Sequence, residues 1–283
     1  MHSNDDFTPD RIPVIDVHAH VFPRKILAKA VAAISTFYDD LPMQSDGSLE
    51  MMKRRMQQTG VEKTIIFTTA TAKSQVASIH EYIHTLQEES DGTLIGFGTL
   101  HPDMTEIEIE AEINNILRLG LRGIKLHPDF QHIAADSSAV FSMAEKAQGR
   151  LPLLIHAGDY RYGFSHPEQI RRLALAYPKL TVIAAHFGGW SQWNKSPDQL
   201  AGLPNVYVDT SSSLAFLSED KVREMIERFG DDHVLFGSDF PMWDVMAELA
   251  GLRHLGLPEE SLRKILHDNT AALFSISSLS SLT

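Results

Sequence analysis

Apolar, β-branched runs recur along this chain, and stretches with helical periodicity separate them. The first run is Val14-Ile15-Asp16-Val17-His18-Ala19-His20, and further runs fall at residues 64–68, 94–100, 123–127, 153–156, 181–186, 206–209 and 234–239. Amphipathic stretches lie between them at 74–89, 105–119, 137–148, 167–177, 219–229 and 244–255, with apolar residues at i, i+3 and i+4. After a longer first interval, successive runs lie about 30 residues apart, the length of a βα unit. In that first interval, residues 24–38 predict one helix and 48–59 a second, with Ser48 as N-cap and Gly60 just past the end. Residues 189–203 read as loop with a short helix near 197–201, and two short helices at 259–267 and 269–276 precede a frayed tail at 275–283.

Strands that are apolar throughout and alternate with helices indicate a parallel sheet covered by helices. Eight such units favour an α/β fold closed as a (β/α)8 TIM barrel. The expectation is one domain, residues 1–283, with a helical insertion at 21–60 after the first strand. The Met-rich insertion serves equally as a lid, an interface or an ordinary packed excursion. No Gly-x-Gly-x-x-Gly follows the first strand, which weighs against a dinucleotide site.

Composition narrows the functions. The formal net charge is −12, with acids spread along the chain, which argues against a nucleic-acid partner. Cysteine is absent, so there is no disulfide framework and no thiolate metal site. Residues 1–10 are polar, without the apolar core of a signal peptide, and no window reaches the roughly 18 apolar residues of a membrane span. A soluble cytoplasmic protein with a small-molecule substrate and no membrane partner is the expectation.

The chemistry gathers at the strand ends, where parallel barrels carry their active sites. His18 and His20 stand at i and i+2 on a strand and share a face, an arrangement that suits a divalent metal. The fourth strand ends in Lys125 and His127, the fifth in His156, the sixth in His186 and the eighth in Asp239. Lys125 is expected to point into the barrel, where an ammonium could bind a substrate carboxylate or a developing oxyanion. His127 could line the mouth. Asp16 shares parity with the histidine pair, as a structural acid or a partner to a ligand. After the fifth strand, Tyr160-Arg161-Tyr162 could grip a carboxylate and stack an unsaturated substrate. Trp190 and Phe22 could wall the same pocket.

The segments Val14 to His20, Leu153-Leu154-Ile155-His156, Ala184-Ala185-His186-Phe187-Gly188-Gly189 and Leu235-Phe236-Gly237-Ser238-Asp239-Phe240-Pro241 together resemble the amidohydrolase superfamily. The last two are most similar to its amidohydrolase-related, aminocarboxymuconate-semialdehyde decarboxylase-like branch. That resemblance implies one divalent metal ion held by His18, His20, His156 and Asp239, with Zn2+ favoured and Mn2+ or another divalent ion as alternatives. It implies that His186 acts as a non-ligand catalytic histidine and that Asp239 also takes a proton. It implies hydrolysis of a lactone, amide or ester, one carrying a carboxylate, by attack of metal-bound hydroxide. The alternative is non-oxidative decarboxylation of an aromatic or unsaturated acid on the same metal. In other branches the lysine on strand four is carboxylated and bridges two metals, a further option for Lys125. Relatives of this kind are often dimers, so a homodimer is compatible with the resemblance.

Overall fold

The computed structural model describes residues 12–276. The polar stretch at 1–10 and all of the expected tail from 277 on lie outside the described residues. The strands are β1 (Val14–His20), β2 (Val61–Phe67), β3 (Leu94–Gly96), β4 (Gly98–Thr99), β5 (Ile124–Leu126), β6 (Leu153–Ile155), β7 (Val182–Ala184), β8 (Val206–Asp209) and β9 (Val234–Leu235). They pair in parallel and in chain order, β1 to β3 and β4 to β9. The third expected run is thus two short strands. Leu94–Gly96 pairs with β2 and Gly98–Thr99 with β5, and the chain changes neighbour at Phe97, whose ring fills the barrel interior. Closure between the last strand and the first is direct. Val17 N–H donates to Phe236 O at 2.9 Å, and Asp239 N–H donates to His18 O at 2.8 Å.

Helices follow the strands: α1 (Leu27–Phe37), α2 (Leu49–Thr59), α3 (Val76–Glu88), α4 (Glu106–Arg118), α5 (Pro128–Gln131), α6 (Ser138–Ala147), α7 (Pro167–Ala176), α8 (Ser196–Leu200), α9 (Glu219–Phe229), α10 (Val245–His254), α11 (Glu259–Arg263) and α12 (Asn269–Leu273). Local signals set their ends. Ser48 Oγ accepts the Met51 N–H at 3.2 Å, and a cap of this kind contributes about 1 kcal/mol. Gly60 sits at φ 76°, a left-handed turn that only glycine adopts without strain, and it feeds the chain straight into β2. That is why β2 begins at Val61, three residues before the apolar run that announces it.

Two apolar shells hold the barrel. Val17, Ile65, Phe67, Phe97, Leu154, Ile183 and Leu235 fill its interior. A larger shell, including Val14, Ile66, Ile124, Ile155 and Val182, joins the strands to the helices. Each such side chain stabilises by roughly 1.5–3 kcal/mol when fully buried. Lys125 is paired in register with Leu154, an interior residue, so the lysine is inside as its parity predicts. A third, small cluster of Tyr38, Met242 and Trp243 sits apart, with Ile34, Phe37 and Trp190 packed on it. Among the described residues no helix is long and apolar enough to cross a membrane.

Candidate metal centre

One cavity, with an empty volume of about 320 Å³, opens where the strands end. His18, His20, Lys125, His127, His156, His186 and Asp239 line it, and Ile34, Tyr38, Phe130, Pro241 and Met242 form its apolar side. The sequence-expected rim residues are therefore gathered in one place. Asp239 lies four residues beyond β9 at φ 61°, and His186 lies two beyond β7 at the same angle. Both backbones are left-handed, a conformation uncommon outside glycine, asparagine and aspartate, and each turns its side chain off the strand axis into the cavity. Gly237 permits the approach of the eighth-strand loop to β1, because a Cβ there would lie 2.9 Å from the His18 Cβ.

Asp239 Oδ1 lies 3.3 Å from His18 Nε2 and 3.3 Å from His20 Nε2. Two donors bound at about 2.0–2.1 Å to one tetrahedral ion stand about 3.3 Å apart, so this spacing fits a shared divalent cation. The tautomers agree. His18 Nδ1–H donates to Asp209 Oδ2 at 2.9 Å, which leaves the Nε2 lone pair facing the cavity. His186 Nδ1–H donates to the Ser211 carbonyl at 3.0 Å, which leaves its Nε2 lone pair 3.0 Å from His156 Nδ1. Two imidazole nitrogens that close need a proton or a cation between them. The donor set of neutral imidazoles and one carboxylate suits a borderline divalent ion such as Zn2+ or Mn2+. Among the described residues, His18, His20 and Asp239 form one of three His/Asp groups close enough to hold a metal.

Asp209 was not foreseen as functional. Its Oδ1 accepts the backbone N–H groups of His186 at 3.0 Å and Ser211 at 3.1 Å, while Oδ2 takes His18. One buried carboxylate thus orients two cavity histidines. The signal was available, since Asp209 ends the seventh apolar run as His156 and His186 end the fifth and sixth. Ser212 Oγ donates to Asp239 Oδ2 and itself accepts the Trp243 indole N–H at 2.8 Å. Asp16 is a structural acid: it accepts the Ser238 N–H at 2.9 Å and the His18 N–H at 3.0 Å, tying β1 to the loop that carries Asp239.

Electrostatics follow from burial and neighbours. Burial drives the Asp239 carboxyl up, but the surrounding His18, His20 and His186 outweigh it and hold it well below the usual carboxylate range. Asp209 is held low in the same way by His18. Burial lowers His18 to about 4, with the Lys125 charge adding to the effect, so its ring is neutral and ligand-competent. Lys125 has no exposed surface, and desolvation pushes it down to about 8 against the pull of Asp239 and Asp209. Its Nζ stands 3.0 Å from His18 Nε2 and 4.6 Å from the centre of the Phe67 ring.

Four expected substrate contacts do not line the cavity. Tyr160 is 69% exposed on the surface. Phe22 stacks on the outer side of His20 with ring centres 6.4 Å apart. Trp190 packs against Tyr38 and Phe216, behind the wall. Arg161 is committed elsewhere: Nε and one terminal nitrogen bind Asp159 at 3.0 and 2.8 Å, and the other binds the Phe37 carbonyl and Asp39 at 2.9 Å each. With four of its five N–H donors so filled, the guanidinium has no pair left to grip a substrate carboxylate bidentately. The residue that does reach in from this side is Tyr38, whose hydroxyl lies 3.2 Å from His127 Nε2. Tyr38 stands at the end of an expected helix, away from any strand end, so the strand pattern gave no reason to single it out.

A closed (β/α)8 barrel with imidazoles and one carboxylate at its strand ends defines the metal-dependent hydrolase and lyase class. The chain matches the family model described as amidohydrolase over residues 15–276, and it belongs to that family. No curated protein matches it by sequence. Among solved structures it is similar to an uncharacterised TIM-barrel protein of Bordetella bronchiseptica, at 20% identity over 93% of this chain and 98% of that one, with a TM-score of 0.78. It is also similar to 5-carboxyvanillate decarboxylase of Sphingomonas paucimobilis, at 16% identity over 94% and 100% of the two chains and a TM-score of 0.72. A dihydroxybenzoic acid decarboxylase of a Polaromonas species, solved with bound manganese and 2-nitroresorcinol, matches at 15% identity over 96% and 99%, TM-score 0.72. At these identities the likeness is one of fold.

Proposed function

We propose that this protein is a divalent-metal-dependent decarboxylase of a small aromatic or unsaturated carboxylic acid. The observation that carries the reading is the cavity's two-sided character. One side is imidazole, Asp239 and the buried Lys125, and the other is Ile34, Tyr38, Phe130, Pro241 and Met242. A flat acid fits such a space with its ring on the apolar side and its oxygens on the polar one. The fold neighbours that act on carboxylated phenols support the same order of preference, which reverses the one drawn from sequence.

His18, His20, His156 and Asp239 would hold the metal, with His186 at their edge. When bound, a divalent ion there polarises a substrate oxygen next to the reacting carbon and draws charge toward it. The protein's own groups do the rest. The Lys125 ammonium, 3.0 Å from His18 Nε2, pairs with an anionic substrate oxygen. The apolar wall strips water from the carboxylate, which lowers the cost of releasing neutral CO2. When the C–C bond breaks, its electron pair stays on the ring carbon, which then needs one proton. Asp239 would carry it on Oδ2, the oxygen not shared between His18 and His20: the carboxylate first takes the proton of a substrate hydroxyl and then returns it to that carbon.

Hydrolysis of a lactone, amide or ester is the second reading. It is favoured by the place of the Asp239 carboxylate, beside His18 and His20 at the polar edge of the cavity, where it could take the proton of an attacking water. Protein loaded with Mn2+, and separately with Zn2+, is to be incubated with hydroxybenzoic acids and with carboxylated lactones. The expected result is CO2 release matched by the decarboxylated phenol, abolished by chelator. Lactone opening with no CO2 from any acid replaces the first reading with the second.

A further inference from the structure

We propose that Asp129 is a positioning residue for His156, holding the ring in the orientation and tautomer that turn Nδ1, not Nε2, toward the candidate metal centre. The inference rests on the reading of His156 as a cavity ligand. Two buried polar atoms in this region have no partner: His156 Nε2 and Asp129 Oδ1. Both residues are almost without exposed surface, at 1% and 0%. One atom can carry a hydrogen with no acceptor, and the other is an acceptor with no donor. Buried polar atoms are rarely left so, and these two belong to side chains that face each other. His156 Nε2 stands 3.6 Å from the second carboxylate oxygen, Asp129 Oδ2. That is a close polar contact, longer than a hydrogen bond.

The tautomer follows from this pairing. Burial lifts the Asp129 carboxyl to about 7, and in its ionised form it can only accept, so a proton on His156 Nε2 is favoured and a lone pair there is repelled. The other nitrogen, Nδ1, then carries the lone pair that faces His186 Nε2 at 3.0 Å. The carboxylate is itself fixed, because Ser165 Oγ donates to Asp129 Oδ2 at 2.6 Å. The ring plane is fixed by a stack of three rings: Phe130 lies 3.7 Å from His127, and His127 lies 4.0 Å from His156, with interplanar angles of 2° and 8°. His127 does not complete a second metal site with this pair. Its Nδ1 accepts the Phe130 N–H at 3.3 Å, and its Nε2 is paired with the Tyr38 hydroxyl at 3.2 Å.

The test combines imidazole 15N NMR of protein with Zn2+ added, the cation taking the place of a proton between His156 Nδ1 and His186 Nε2, with a separate Mn2+ titration of the same protein followed by electron paramagnetic resonance. Wild type is compared with Asp129→Asn and Ser165→Ala, each checked for retained far-UV circular dichroism. The expected wild-type spectrum shows His156 protonated at Nε2. Asp129→Asn shifts the ring toward the Nδ1–H form or a mixture and weakens Mn2+ binding by roughly 10–100-fold, the cost of losing an outer partner. Ser165→Ala moves both readouts the same way by a smaller factor, and it carries the test if Asp129→Asn does not fold. A His156 tautomer that neither variant changes overturns the proposal. If wild type binds no Mn2+ yet its His156 tautomer still depends on Asp129, the positioning contact stands and the metal reading fails.

Discussion

The cavity has a floor and a roof built by opposite means. The floor is the ring of strand ends. His18, His20, Lys125, His156, His186 and Asp239 are each 9% exposed or less, and each is held by a second buried group. The roof is α1 with its C-terminal Tyr38. No residue of α1 itself is fully buried. Tyr38 packs on Met242 and Trp243 and pairs with His127, and one guanidinium ties the end of α1 to the loop after β6: Arg161 binds the Phe37 carbonyl and Asp39 on one side and Asp159 on the other. The rings of Phe37, Tyr38, Tyr162 and Trp190 surround it at 5.2–5.6 Å. A floor locked by many buried bonds presents ligands in one geometry. A roof of few buried bonds depends far more on any one of them, and Arg161 carries the most.

The largest expected effect tests the floor. Asp239→Asn keeps the shape and removes the carboxylate shared by His18 and His20. Mn2+ affinity, read by titration, should fall by more than the roughly 10–100-fold typical of losing an outer partner, with circular dichroism unchanged. Unaltered Mn2+ binding would remove Asp239 from the centre. The roof should answer differently. Arg161→Ala strands the Asp159 carboxylate, which has no exposed surface, so a stability loss of about 3–5 kcal/mol is expected in urea unfolding. Hydrogen exchange along α1 should quicken sharply while Mn2+ affinity stays within about threefold. A variant that loses metal as well would mean that floor and roof are one unit.

Beside the floor lies one acid that is not paired. Glu248 on α10 is 4% exposed, its Oε2 has no partner, and burial together with the charges of Asp239 and Asp16 lifts it to about 8 from 4.5. A folded value above the unfolded one means that the native state binds the extra proton. The stabilisation is complete below about 4.5 and is lost as pH rises through about 8. Urea unfolding should therefore show roughly 3–4 kcal/mol less stability from this group at pH 8 than at pH 5. Glu248→Gln should flatten that fall. A variant with the wild-type slope would assign the pH dependence to other groups.

The same contrast explains what the sequence could show. The floor was legible because strand periodicity and strand-end polarity are local. The alternation that placed His18 beside His20 also put Lys125 inside the barrel, and the repeat of βα units brought the ends together. Asp209 obeys the same rule, but it stands outside the motifs that mark the other strand ends. The roof was not legible. The stretch at 24–38 predicts a helix but not where that helix lies, since its apolar residues run round most of its surface. Arg161 between two tyrosines looks like a carboxylate grip, and only the distant Asp39 and the Phe37 carbonyl reveal it as a latch. Contacts between residues more than a hundred positions apart leave no period in the chain. The split of the third strand was hidden for a related reason, because Phe97 is apolar like its neighbours and changes only its pairing partner.

The smallest expected effect separates the two arms of the latch. Asp39 is 85% exposed at its side chain, and its bond to Arg161, though 2.9 Å long, is an ion pair in water. Such pairs contribute about 0.2–1 kcal/mol and weaken with salt. The inner arm joins the same guanidinium to Asp159, which is fully buried, and to the Phe37 carbonyl, whose position ends α1. Asp39→Asn removes the charge, and asparagine tolerates the left-handed backbone found there at φ 57°. If the inner arm holds the roof, this variant loses less than about 1 kcal/mol, and α1 exchange stays within about threefold of wild type. Raising salt in the wild type should mimic it. If instead Asp39→Asn opens α1 as far as Arg161→Ala does, the roof hangs on a surface charge, and its closure becomes a function of ionic strength rather than of the buried Asp159.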